Sequence, residues 1–157
     1  MPPSYQKPTA HPPYARALLI GESNPYSRHP DDALVPWPAG CAGARLLSLL
    51  GWSEYDYLAS FHRVNLVVGK RWDIRAARAR ADELSTQEFF QKSFVVLLGV
   101  RVSWACGWNH EIWKVIGGVV RVPHPSGLCR DWNDPRSRPR LRELLEPYRH
   151  KDLRVRA

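Results

Sequence analysis

The sequence predicts an α/β protein: a single-domain, three-layer α/β/α sandwich built on a central, mostly parallel four-stranded sheet. Three observations predict it. Short apolar runs alternate with longer helix-forming stretches along the chain. The runs are too uniformly apolar for strands with one wet face, so they read as strands covered on both sides. The length, 157 residues with 44% hydrophobic side chains and seven tryptophans, suits one domain with a substantial core.

Taken in order, residues 1–14 form a Pro-rich N-terminal arm, and residues 15–157 form the α/β domain. The arm, which opens MPPSYQKPTA, lacks the basic-then-apolar layout of a signal peptide. ARALLIG (15–21) is a buried first strand ending in glycine. The next stretch, 22–40, is crowded with turn formers and reads as a long loop, a length usually tied to function or to disorder. CAGARLLSLLGW (41–52) carries helical spacing at Leu46, Leu47, Leu49 and Leu50, with Gly51 as its stop. FHRVNLVV (61–68) is the second strand. DIRAARARADELSTQEFFQKS (73–93) reads as one long helix, rich in alanine and arginine. FVVLLGV (94–100) is the third strand, SWACGWNHEIWKVIG (103–117) a tryptophan-bearing helix, and GVVRVPHPSG (118–127) a fourth strand ending in a polar knot. DPRSRPRLRELLEPYRHKDL (134–153) closes the chain as a basic amphipathic helix.

Such sheets bind ligands beyond the carboxyl ends of their strands. Polar residues gather at those predicted ends: Glu22–Tyr26 after the first strand, Asn65 in the second and His124–Ser126 after the fourth. Net charge is +8 and uneven: residues 1–60 hold four Lys/Arg against five Asp/Glu, and residues 121–157 hold ten against five. A polyanionic partner follows from that bias, with a solvated basic face as the alternative. Cys41, Cys106 and Cys129 are odd in number and far apart, and form no CxxC pair. They argue against a disulfide framework, structural zinc or an iron–sulfur cluster, and for a reducing, cytoplasmic setting. The histidines have no metal spacing, and His110–Glu111 is not completed to HExxH. No apolar stretch reaches the roughly 18 residues needed to span a membrane. A monomer without cofactor or metal is expected.

The knot HPSGLCR (124–130) resembles the second motif of the uracil-DNA glycosylase superfamily, and within it the mismatch-specific uracil/thymine branch. LLIGESNPY (18–26) is similar to the first motif of that family, VPW (35–37) to a Val-Pro-Phe segment of its single-strand-selective branch, and RVNLV (63–67) and VVLLG (95–99) to strands of its thermophilic branch. The resemblance covers about residues 15–150. It implies a monofunctional hydrolase that everts uracil, or a related modified or mismatched pyrimidine, from single- or double-stranded DNA and cuts its N-glycosidic bond.

Each position then has an implied task. His124 donates a hydrogen bond to the base oxygen on which charge develops, worth roughly 3–4 kcal/mol when preorganised. Asn65 matches the donor and acceptor edge of uracil. Trp37 stacks on the everted base, worth about 1–3 kcal/mol. Glu22 or Asn24 orients the attacking water and steadies the sugar cation. The turn Gly21-Glu22-Ser23-Asn24-Pro25 is one residue longer than the family pattern, so counting from Gly21 favours Glu22 and counting back from Pro25 favours Asn24. Tyr26 falls where some members exclude the thymine methyl. Ser126 and Gly127 admit a phosphate, Leu128 fills the gap left by the base, and Arg130 clamps a phosphate or reaches the opposite strand. Arg136, Arg138, Arg140 and Arg142 offer further phosphate contacts. Two other functions stay open: a nucleic-acid-binding module without catalysis, and an enzyme on another N-glycosidic or nucleotide substrate.

If Arg130 holds a phosphate, Arg130→Ala weakens DNA binding and flattens its dependence on salt. Binding isotherms over a salt series check this, and an unaltered slope places the arginine off the DNA.

Overall fold

The computed structural model describes residues 16–25 and 27–150, so the expected arm, Tyr26 and the last residues of the expected C-terminal helix lie outside the described residues. Four strands, β1 (Ala17–Asn24), β2 (Phe61–Val68), β3 (Phe94–Leu98) and β4 (Val119–Val122), form one sheet in the order β2-β1-β3-β4. All neighbouring pairs are parallel. Alternate residues of β1 face opposite layers, as strand geometry requires. Ala17 and Leu19 pack with residues of α1 (Ala42–Leu50), α2 (Glu54–Ser60) and α6 (Ser137–Leu145). Leu18 and Ile20 pack with residues of α3 (Ile74–Ser85) and α5 (Val100–Ala105). This is the expected three-layer α/β/α sandwich. Leu18, Leu19 and Ile20 are fully buried, and each such side chain contributes roughly 1.5–3 kcal/mol. No helix among the described residues is long and apolar enough to cross a membrane.

Several boundaries differ from expectation, each for a local reason. β1 does not stop at Gly21 but runs on to Asn24, because Ser23 and Asn24 still pair with Val67 and Val68 of β2. The loop 22–40 is correspondingly shorter and holds a 3₁₀ turn at Pro30–Asp32. Residues Glu54–Ser60 form α2, with Ser53 as its N-cap. Its N-terminus was legible in Ser53-x-x-Asp56, since the Ser53 hydroxyl accepts from the Asp56 amide at 3.1 Å. The expected helix 73–93 is two helices, α3 and α4 (Glu88–Lys92). The hydroxyls of Ser85 and Thr86 donate to the carbonyls of Asp82 and Glu83 and close the first one. α5 covers only 100–105 rather than 103–117, because Gly107 turns left-handed at φ 68° and Trp113 does so again. β4 ends at Val122, before the knot. α6 begins at Ser137 and stops at Leu145, two residues short of Pro147.

The segment between β1 and α1 is fastened from three sides. The buried Tyr57 hydroxyl donates to the Leu34 carbonyl at 2.8 Å, and Arg63 donates to the Ala33 carbonyl at 3.0 Å. Gly43 passes so close beneath that a Cβ there would lie 2.2 Å from the Val35 carbonyl oxygen. Burial also pushes the Tyr57 phenol well above its ordinary range, so it remains a donor at any ordinary pH.

Tyr57→Phe leaves the Leu34 carbonyl without its donor inside the core and lowers stability by about 1–3 kcal/mol. Urea unfolding reads this directly. An unchanged midpoint means the hydroxyl does not hold the segment.

Candidate active site

Parallel strands place all four carboxyl ends on one edge, and the main cleft opens there. Beyond Ile20, β1 keeps its partner β2 but has no paired residue on β3. The sheet therefore parts between β1 and β3, where the chain's crossovers change direction. A cavity of about 510 Å³ occupies that gap. Glu22, Asn24, Trp37, Asn65 and His124 all line it, so the strand-end residues singled out in the sequence share one cavity.

Glu22 and His124 come from β1 and from the segment after β4, with β3 between them. They meet because β3 is followed by Gly99, whose φ is 98° and whose missing Cβ would lie 3.0 Å from the His124 Cβ. The His124 Nε2 stands 3.8 Å from Glu22 Oε1, and Arg101 Nη1 stands 3.9 Å from Glu22 Oε2. The first gap is longer than a hydrogen bond, so the imidazole and carboxylate face a shared space rather than consuming one another. Burial pushes the His124 imidazole below its ordinary value. The Glu22 charge opposes that shift, and the Arg101 charge adds to it. A neutral imidazole at neutral pH can donate one hydrogen bond without carrying charge. The His124 carbonyl accepts from the Trp132 indole at 2.9 Å, which fixes the backbone of the knot.

Asn65 pairs in register with Gly21 and is only 5% exposed. It lines the cavity. Gly21 makes room for it: a Cβ there would fall 2.5 Å from Asn65 Oδ1. Trp37 is 53% exposed at the cleft mouth, so it is not a core side chain. Asn24 also lines the cleft, and its amide donates to the Asp32 carbonyl at 3.4 Å. Tyr26 lies outside the described residues.

The knot forms a second, smaller hollow of about 390 Å³ that shares His124 with the first and is lined by Ser126, Gly127 and Leu128. The Ser126 hydroxyl accepts from the Leu128 amide at 3.1 Å. That bond curls the chain, and it leaves Leu128 93% exposed, with nothing of the core about it. Arg130 is exposed on a 3₁₀ turn (Arg130–Asn133) and lines neither hollow.

The arginines of α6 are largely occupied within the chain. Arg136 is held by Asp134 at 2.9 Å, Arg140 lies over the Trp113 ring, and Arg142 donates to the Leu49 carbonyl at 3.0 Å. Residues not anticipated from sequence stand closer to the site. Arg45 of α1 crosses over Gly127 in the smaller hollow. Arg101 is the second residue of α5, and Cys41 caps α1 while lining the cleft. The glycine ending LLG (97–99) was a visible signal for Gly99; nothing local marked Arg45 or Arg101. Among the described residues, no three His, Cys, Asp or Glu side chains gather as a metal site.

Comparisons with protein families, with curated proteins and with solved structures found no match.

Gly21→Ala crowds the Asn65 amide and costs about 1–3 kcal/mol of stability. In a double-mutant cycle, Asn65→Ala in the same chain recovers part of that loss, and strict additivity of the two changes would mean they do not touch.

Proposed function

We propose that the chain is a monofunctional DNA N-glycosylase, acting without a cofactor on uracil or a related modified or mismatched pyrimidine in DNA, in base-excision repair. One observation carries the reading. A carboxylate, an imidazole, a buried amide and an exposed indole, from separate chain segments, face one cleft at the carboxyl edge of a parallel sheet.

The chemistry assigns each group a task. An everted pyrimidine stacks on Trp37, and its edge pairs with the Asn65 amide, which both donates and accepts. The bond between the base and the sugar C1′ breaks with its electron pair leaving on the base. Neutral His124 donates to the oxygen where that charge collects. Water adds to C1′ and gives its proton to Glu22, whose charge also steadies the sugar cation. The base leaves as an anion and takes a proton from solvent, and Glu22 returns its own proton to solvent. Glu22 suits this task better than Asn24, since its Oε1 faces the imidazole across the cleft, whereas the Asn24 amide engages the Asp32 carbonyl. Leu128 at 93% exposure is free to enter the gap the base leaves. Arg45, Ser126 and Gly127 line the neighbouring hollow and would meet a phosphate there. The basic excess downstream of residue 60 suits DNA as the partner.

A panel of labelled single-stranded and duplex oligonucleotides carrying uracil, mismatched thymine, hypoxanthine or 5-hydroxymethyluracil tests the proposal. Abasic sites should form on at least one substrate. His124→Ala should slow their formation at least about tenfold while DNA binding is nearly retained, because the donor acts on developing charge. Salt-sensitive binding with no base release would replace the proposal with a non-catalytic binding module. Neither binding nor release would point to another N-glycosidic or nucleotide substrate.

A further inference from the structure

We infer that Arg101 is a positioning residue for the cleft: by drawing Oε2 of Glu22 toward its charge it biases Oε1 toward His124, and so favours Glu22 for the water-handling task. The inference rests on the glycosylase reading for its catalytic consequence, but its geometry stands without that reading. The two carboxylate oxygens of Glu22 have different neighbours. Oε2 lies 3.9 Å from the Arg101 guanidinium, and Oε1 lies 3.8 Å from the His124 imidazole. A carboxylate is planar, so holding one oxygen fixes the direction of the other. Glu22 sits beyond the last β1 residue that pairs with β3, where neighbouring backbone no longer confines its side chain. Arg101 is the cation that faces its second oxygen, at 3.9 Å.

The source of Arg101 is a matter of chain path. β3 ends at Leu98, Gly99 turns the chain, and α5 starts at Val100. The same glycine that admits His124 therefore delivers Arg101 to the other side of the carboxylate. An exposed pair at this distance contributes little to stability. Arg101 is 55% exposed in its side chain, and Glu22 is 22% exposed. Its effect is thus to be sought in the site rather than in the folding equilibrium.

Other charged groups near the imidazole are few among the described residues. Arg45 of α1 lines the smaller hollow that His124 also lines, and Asp32 lines the main cleft with its carboxylate held by the Ser27 hydroxyl. Cys129, from the same knot, has its thiol beside the Asp131 carboxylate. None of these lies on Glu22, which leaves the Arg101–Glu22–His124 row as the arrangement to test.

The His124 ring, assigned by comparison with His124→Ala, is titrated by NMR in the full chain. Four backgrounds are compared: wild type, Arg101→Gln, Arg101→Lys and Glu22→Gln, together with the double variant Glu22→Gln/Arg101→Gln. In wild type, burial holds the midpoint below that of an ordinary imidazole. Arg101→Gln raises it, Glu22→Gln lowers it, and Arg101→Lys restores most of the wild-type value. Arg101→Gln removes a cation that lowers the midpoint directly, but in wild type it also loosens the aim of Glu22, which raises it, so the midpoint rises less in wild type than in the Glu22→Gln background. Equal shifts in both backgrounds, or no shift in either, overturn the inference. With a substrate in hand, Arg101→Gln lowers kcat by about tenfold or more with KM little changed, and the acid limb of the rate profile moves up with the His124 midpoint. A kcat and profile unchanged by Arg101→Gln also overturn it. If no oligonucleotide releases a base, the glycosylase reading fails, while the titrations still decide the role of Arg101.

Discussion

Parallel alignment of all four strands is the constraint from which the rest follows. It puts every carboxyl end on one edge, so residues remote in sequence become neighbours without any long-range device. The order β2-β1-β3-β4 then sets β1 and β3 at the centre, where the crossovers part. β1 outruns β3 by several residues on that edge, and a gap opens over the end of the shorter strand. Glycine at the end of β3 and at position 21 keeps the gap clear of Cβ atoms that would otherwise fill it. Both the cavity and the meeting of Glu22 with His124 are consequences of strand lengths and two missing side chains.

A site built this way depends on how its remaining walls are held. The β1–α1 segment carries Trp37, and it is tied to the core through the Tyr57 hydroxyl, the Arg63 guanidinium and the close passage of Gly43. On the opposite side, the Trp132 indole grips the His124 carbonyl. Two aromatic side chains with polar handles therefore brace the two walls, each satisfying a backbone group that the fold removes from its own ladder. Farther out, Arg149 pairs with Asp56 at 2.8 Å and lies over the Trp52 ring, tying the chain after α6 to α2. Of the arginines read from sequence as a phosphate-binding row, Arg142 shares in this structural work through the Leu49 carbonyl.

Much of the fold was legible, because buried parallel strands announce themselves as short apolar runs. LLI, LVV and FVVLL named their strands, and Gly51 stopped its helix as expected, at φ 68°. Helix lengths were less legible. Hydroxyls at Ser85 and Thr86 divide a stretch whose composition favours helix throughout, and a left-handed Trp113 is not foreseeable from propensity. Within the site, Asn65 and His124 could be picked out because each is a polar residue ending or interrupting an apolar run. Arg45 and Arg101 could not. Their place beside the cleft depends on helix packing and on the turn at Gly99, neither of which leaves a local mark. The Glu22–Asn24 ambiguity was likewise one of chain path, since counting residues along a turn cannot say where a strand ends.

The pairing of Gly21 beneath Asn65 bears on how a chain of this kind can diverge. Residues along β1 alternate between the two helical layers, so losing or gaining one residue upstream of Gly21 reverses every inward and outward side chain. It also slides Ile20 or Glu22 under the amide. Insertions and deletions are accordingly barred from β1 by two independent penalties. The stretch from Ser27 to Ala33, which lies outside the strand register, can lengthen or shorten without moving either. Variation among descendants should therefore accumulate in that stretch as changes of length, while the strand beside it changes only by substitution.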